Sequence, residues 1–338
     1  MNQKTKALPT RTLGQGFYAS AIGYGAMGLS EFYGPSDDTQ SLAMLDEVAD
    51  AGVTLIDTAD MYGRGHNEIL IGRFLAAQRS AADSIKVATK CGIDRPKEAE
   101  YARGINNSPE YIRACCDASL KRLGVERIDL YYLHRVDPQA DITETMGTLK
   151  SLVEEGKIAH VGLCEVSAAT LEKAHAVYPI TALQTEYSLW TRDVELSILP
   201  KAKALGIGLV AYLPLGRGFL TGRISSAQEL ANGDFRRNNP RFQQDSLAHN
   251  LQLLESVKAI AERHGATPGQ IALAWLLAQG DHIVPIPGTR RSRYLQENLA
   301  AAELELSAED KDELEKVFTS DSVRGERYGE EGMKGVNA

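Results

Sequence analysis

Short apolar runs alternate along this chain with stretches whose apolar residues recur every three or four positions. The first kind reads as buried strands and the second as helices with one apolar face. A first strand runs through SAIGYGAMGLS and ends near Met27, and others cover Val53–Ile56, 85–90, 128–134, 158–164, 180–184, 207–212 and 282–288. Between them the helical period appears from Asp38 to Gly52, over 66–77, from Ser108-Pro109-Glu110 to Gly124, and from about 142 to Gly156. It appears again after Ser167, from about 193 to Gly206, and near 246–264, 268–279, 292–301 and 307–318. Ser, Thr or Asp at the starts accepts free backbone N–H groups, Pro suits the first helical position, and Gly ends the helix. Asp38 or Thr39 caps the first helix in this reading. Residues 1–16, polar and glycine-rich, read as a capping hairpin or an irregular lead-in.

Eight strands, each followed by a helix, predict an α/β chain closed into a single parallel (β/α)8 TIM barrel. Two open-sheet domains are the competing arrangement, but no Pro/Gly/Ser-rich linker divides the chain. One domain is therefore expected over 1–338, with its core at about 10–318 and a charged, glycine-rich tail at 319–338. Gly23, Gly25 and Gly28 spell G-x-G-x-x-G. A dinucleotide-binding turn needs a helix starting in those glycines, and here they run into the loop LSEFYGPSDD, so close packing of a strand is the simpler account.

Composition adds bounds. The chain has 338 residues, 43% hydrophobic and 24% charged, with a net charge of −8. An acidic chain lacks the basic face that nucleic acid requires, and no apolar run approaches a membrane span. The N-terminus has no signal-peptide core, so a cytoplasmic protein is expected. Cys91, Cys115, Cys116 and Cys164 fit no zinc spacing and read as small buried thiols.

Function in such a barrel collects at the C-terminal ends of its strands. Those ends carry Asp57, Lys90, His134, Gln184 and Tyr212, with Tyr62 in the loop after the second strand. Singly each has an ordinary structural explanation; together they make a proton-donating site. An unperturbed tyrosine has a pKa of about 10, and a nearby Lys90 ammonium is expected to lower it. Asp57 would hold Lys90, and His134 would orient a carbonyl oxygen. With no metal cluster and no evident nucleophile, a nicotinamide is the natural hydride source.

The segments VTLIDTADMYG, VATKCG, IDLYYLH, VGLCE, LQTEYSLW, AYLPLGRGFLTG and VPIPGTRRSRYLQEN, in this order and spacing, together resemble the aldo-keto reductase family. Its bacterial and plant branch, which carries EYSLWTRD and PLGRGFLTG, is the most similar. The resemblance implies a (β/α)8 barrel that binds NADPH and reduces aldehydes and ketones, with Asp57, Tyr62, Lys90 and His134 as catalytic tetrad. It places Gln184, Cys164 and Glu165 at the nicotinamide carboxamide and Tyr212 stacked on the ring, and counts Asp57 among the cofactor-binding residues as well. Leu215, Gly216, Arg217 and Gly218 would cover the pyrophosphate. Gly25, Ala26 and Met27 would flank the ribose. Gly288, Thr289, Arg290, Glu297 and Asn298 would hold the adenosine end. Cys164 and Leu213 stand where Ser is frequent in the family, and Gly288 where other branches have Lys.

Arg290, Arg291 and Arg293 form a basic cluster beside a predicted helix start. That is a phosphate-binding arrangement, and it predicts NADPH rather than NADH. Phe32, Tyr33, Met61 and Trp190 are the candidates for an apolar substrate mouth, with Tyr33 and Trp190 taken as substrate contacts, and the loop 222–245 is a candidate cover. A small carbonyl compound is the expected partner, with no nucleic acid and no membrane. Two other uses of the barrel remain open at this stage: a Schiff-base lyase acting through Lys90, and a redox-sensing regulatory subunit with slow turnover.

Overall fold

The computed structural model describes residues 7–78, 84–95, 103–230 and 234–336. Eight parallel strands form one sheet: β1 Tyr24–Gly25, β2 Leu55–Asp57, β3 Lys86–Cys91, β4 Ile128–Leu133, β5 Ile158–Cys164, β6 Ala182–Glu186, β7 Gly208–Tyr212 and β8 Ile283–Pro285. Each lies beside its neighbour in sequence. The sheet curls until its first strand meets its last, where Gly23 N donates to Pro285 O at 2.9 Å. Gly23 and Gly25 of the G-x-G-x-x-G string serve this seam. A Cβ at Gly25 would sit 2.7 Å from Ile286 O, and one at Gly23 would sit 3.0 Å from the Ile286 side chain. The chain continues from β1 into a single 3-10 turn at Met27–Leu29 and not into a long helix.

The predicted strands are present, with ends displaced by up to four residues. Helices α1 Asp38–Asp50, α2 His66–Ala77, α3 Pro109–Leu123, α4 Ile142–Glu154 and α5 Ala168–Val177 lie close to the predicted spans. Ser108 and Ser167 cap α3 and α5 as expected, while α1 is capped one residue earlier, by Asp37. The helix expected over 193–206 is broken. A 3-10 turn covers Asp193–Leu196, and α6 is only Ile198–Ala204. Pro200 has no N–H to give the Leu196 carbonyl, so one continuous helix is not available. Helices α7 Gln244–His264, α8 Pro268–Ala278, α9 Ser292–Ala300 and α10 Ala308–Val317 complete the ring. Of the loop 222–245, residues 231–233 lie outside the described residues.

Strand residues alternate between two cores. Outward positions such as Ile56, Val87, Tyr131, Val161, Leu183 and Leu209 pack beneath the helices. Inward positions are Leu55, Ala88, Leu130, Tyr132, Cys164, Ala182, Val210 and Val284. The hairpin Thr10–Thr12/Tyr18–Ser20 delivers Leu13 and Phe17 to this inner core at the N-terminal ends of the strands. Gly14 N bonds Thr181 O at 2.7 Å there. The inward set thus begins with apolar side chains and ends, at the opposite rim, with Asp57, Lys90 and Gln184. The period-two geometry of a strand makes Leu55 and Asp57, or Ala88 and Lys90, point the same way.

The hairpin plug is a stability element remote from the rim. A Cβ at Gly208 would fall 2.5 Å from the Leu13 Cα. Gly208→Ala is expected to cost about 1–3 kcal/mol through overpacking, read as a lower urea midpoint, with turnover of the folded protein retained. An unchanged midpoint would show that the plug does not seal the barrel.

Candidate functional site

Lys90 is completely buried, and its ammonium is fixed by three local facts. Its Nζ lies 2.5 Å from Asp57 Oδ1 and donates to the Thr58 carbonyl at 2.7 Å. The other Asp57 oxygen accepts from Gln184 Nε2 at 2.6 Å. Side chains from β2, β3 and β6 are thereby joined across the barrel interior. Tyr62 comes from the loop after β2. Its backbone is held by a sharp turn in which Gly63, Arg64 and Gly65 all have positive φ, at 55°, 54° and 90°. Glycine adopts such angles readily, whereas Arg64 does so at a cost. The preceding Met61 carbonyl is tied down by Arg95 Nη1 at 2.7 Å. His134 follows β4, with its backbone N–H on the Cys91 carbonyl at 2.7 Å.

These groups converge. The Lys90 Nζ lies 5.2 Å from the centre of the Tyr62 ring. The Tyr62 and His134 rings meet edge to face at 6.0 Å and 84°. Burial pushes the Tyr62 phenol up to about 12, against the pull of Lys90 and with help from Asp57 and Cys164. The sequence led us to expect a phenol more acidic than free tyrosine; desolvation outweighs the cation, whose field Asp57 partly cancels. Burial, then Lys90, Arg135 and Arg103, hold His134 well below the ordinary histidine range. Burial pulls the Lys90 ammonium down, but Asp57 and Tyr62 more than offset it and hold it above the ordinary lysine range. At neutral pH the arrangement is a protonated phenol, a neutral imidazole and a charged lysine. The phenol thus holds its proton more tightly than a free tyrosine does.

Above them opens a cavity of about 380 Å³. Asp57, Tyr62, His134, Gln184 and Tyr212 line one part, and Leu215, Arg217, Gly218, Gly288, Thr289 and Arg290 another. Gly25, Met27, Phe32, Tyr33 and Met61 also face it. Trp190 does not. Its ring is buried, stacked on Phe219 at 3.9 Å and packed edge-on against Phe242, so the substrate contact expected of it is replaced by packing. Ala26, Cys164, Glu165, Gly216, Glu297 and Asn298 also lie off the cavity wall. Glu165 spends its carboxylate on Arg327 Nη2 at 2.6 Å, Tyr212 Oη at 2.6 Å and Glu186 N at 2.9 Å. Glu297 accepts from the Thr267 hydroxyl at 3.0 Å. Arg290 donates to the carbonyls of Tyr33 and Pro35, at 2.6 and 2.5 Å, leaving further guanidinium N–H groups free of those carbonyls.

The sequence reading missed the tail. Arg327 bridges Glu165 and Asp193, and Asn239 Nδ2 holds its carbonyl at 2.7 Å. Tyr328 thereby reaches the cavity wall, with its hydroxyl 2.9 Å from that of Tyr212 and the Arg217 guanidinium over its ring at 4.9 Å. Arg103 and Arg135 are two further wall residues that the motifs did not point to. Position was a usable signal for Arg135, which directly follows His134; a polar tail returning to the rim has no local signature.

No group of His, Cys, Asp and Glu suited to a metal occurs among the described residues, and none of their helices is long and apolar enough to cross a membrane. The sequence model of the aldo/keto reductase family matches residues 21–318. The chain is 43% identical over 321 residues to the probable aldo-keto reductase 1 of Glycine max, covering 95% of this chain and 91% of the relative. It is 44% identical over 326 residues to the Schizosaccharomyces pombe aldo-keto reductase yakc [NADP(+)], covering 95% of each. Among solved structures it resembles the glycerol dehydrogenase AKR11B4 of Gluconobacter oxydans, with a TM-score of 0.84 at 28% identity over 91% of this chain and 94% of that one. It also resembles the thermostable aldo-keto reductase Tm1743 in complex with epalrestat, with a TM-score of 0.73 at 28% identity over 92% and 100%. A rim of Asp, Tyr, Lys and His on a closed parallel barrel and matches spanning nearly the whole length lead to one conclusion: the chain belongs to the aldo/keto reductase family.

Proposed function

We propose that this oxidoreductase reduces aldehydes or ketones to alcohols with NADPH, and that Tyr62 is the general acid. The observation that carries the reading is the meeting of Tyr62 and His134 on the cavity wall, directly over the buried Lys90–Asp57 pair. A bound reduced nicotinamide supplies the hydride. Tyr62 Oη then gives its proton to the carbonyl oxygen as negative charge builds there. A phenol held at about 12 is fully protonated beforehand, and an alkoxide is a stronger base still, so the transfer runs downhill. Lys90 stabilises the phenolate left behind. His134, kept neutral, orients the carbonyl by hydrogen bonding without competing for the proton.

The residues present fit the cofactor. The cavity extends from Tyr62 to Arg290, as an elongated dinucleotide requires. One guanidinium nitrogen of Arg217, Nη2, is buried without a partner, which a phosphate oxygen would satisfy. Helix α9 starts beside Arg290 and Arg291 with no side-chain cap, leaving first-turn N–H groups for an anion. The NADP(+) in the yeast relative's name supports the same choice. Use of Lys90 as a Schiff-base nucleophile is disfavoured, because attack needs a neutral amine and Asp57 keeps this one charged.

Tyr62→Phe is expected to lower kcat for aldehyde reduction by about 10²–10⁴, followed as loss of nicotinamide absorbance; wild-type turnover would refute the acid assignment. Because Tyr62 loses its proton only as pH rises through about 12, this group imposes no fall in reduction rate between about pH 6 and 9. A wild-type rate that falls across that interval, with the fall absent from the residual rate of Tyr62→Phe, would contradict this. Arg290→Ala is expected to raise KM for NADPH by roughly tenfold or more, the range of a charge-assisted hydrogen bond, and KM for NADH far less. Equal changes for both would remove Arg290 from 2′-phosphate recognition.

A further inference from the structure

The cavity wall of this acidic protein carries five arginines, Arg103, Arg135, Arg217, Arg236 and Arg290, against one carboxylate, Asp57. Asp57 is already matched by Lys90. Arg236 is paired with Asp234 at 2.7 Å. Arg217 and Arg290 stand where the proposed cofactor's phosphates would lie. Arg103 and Arg135 are left over, and neither forms an ion pair with a carboxylate among the described residues.

Both belong to the reacting end. Arg135 is adjacent to His134 and donates from Nη1 to its carbonyl at 2.7 Å. The Arg103 guanidinium lies over the Phe32 ring at 5.3 Å, on the wall shared with Met61, Ile93 and Tyr62. The positive field of both reaches His134 and helps keep it neutral. A nicotinamide ring would become cationic on giving up hydride, and arginines at the reacting end that Glu165 and Glu31 offset only at a distance, without an ion pair, would oppose that change. An anion bound to the two guanidiniums would offset that penalty. A guanidinium is also the side chain best shaped for such a group, since its parallel N–H donors match the oxygens of a carboxylate or phosphate.

We propose that Arg103 and Arg135 form an oxyanion subsite, and that the preferred substrates are aldehydes or ketones carrying a carboxylate or phosphate. The proposal rests on the reductase reading above and deepens it. Phe32 and Met61 then contact the carbon chain between the two polar ends, while Tyr62 and His134 take the carbonyl. Recognition is electrostatic in part, so added salt weakens it.

The test compares matched substrates with NADPH: butanal against succinic semialdehyde, benzaldehyde against 2-carboxybenzaldehyde, and glyceraldehyde against glyceraldehyde 3-phosphate. The expected result is a kcat/KM at least about tenfold higher for the anionic member of a pair, as for one charge-assisted hydrogen bond, carried mainly by KM. The ratio of anionic to neutral kcat/KM is expected to collapse toward unity in Arg135→Gln or Arg103→Gln. A general loss of activity lowers both members and leaves the ratio alone, so the ratio reports recognition. Arg103 is exposed, which gives a variant that folds even where Arg135→Gln does not. A preference confined to one anion type assigns that type to the subsite. Reduction of neutral aldehydes with no anionic preference, or a preference untouched in both variants, overturns the subsite and leaves the reductase standing. Failure to reduce any of these aldehydes overturns the reductase reading itself.

Discussion

A lysine ammonium completely enclosed by protein is the constraint on which this site depends. Removing such a charge from water costs several kcal/mol even after relaxation, and the fold recovers it through Asp57 and the Thr58 carbonyl. Asp57 in turn needs its second oxygen satisfied, which Gln184 does from across the barrel. Three strands must therefore hold their registers for the charge to be tolerated. That requirement fixes the positions of Tyr62 above the lysine and His134 beside it, and it keeps apolar residues in the inner layers below.

The same enclosure sets the protonation states. Burial raises the phenol and lowers the imidazole, so the two groups separate into one that always holds a proton and one that never gains a second. The cation does not make the resting phenol acidic; in the proposed mechanism its field matters once the proton has left. Around this centre the charge distribution is the reverse of the whole molecule. A chain with net charge −8 turns arginines from several loops toward one cavity, and the tail residue Tyr328 lies among them.

Much of the fold was legible in the sequence because its two periodicities are clean and its helix starts carry caps. The break at Pro200 was visible in principle, since a proline a few residues inside a helix forbids the preceding turn. The convergence of Asp57, Tyr62, Lys90 and His134 was legible because strand ends in a closed barrel share one rim. What escaped depended on long-range packing. Trp190 reads as a mouth residue in its loop, yet Phe219 and Phe242 arrive from distant segments to bury it. Glu165 follows a strand end but is claimed by Arg327, 162 positions away. The phenol's acidity was misjudged because sequence supplies the neighbouring charge and not the burial that opposes it.

The most direct measurement of the central claim is the pH dependence of unfolding free energy in the wild type and in Asp57→Asn. With Asp57 present, the folded lysine holds its proton more tightly than the unfolded one. Its stabilisation is complete below the unfolded lysine pKa and is lost only above it, so it adds no slope between about pH 6 and 9. Without Asp57, burial alone acts on Lys90 and lowers its pKa, so the native state binds fewer protons than the unfolded one. Relative to wild type, the variant is then predicted to gain stability as pH rises through that interval. Parallel curves for the two proteins would contradict the account, because Lys90 would not depend on Asp57 for its charge.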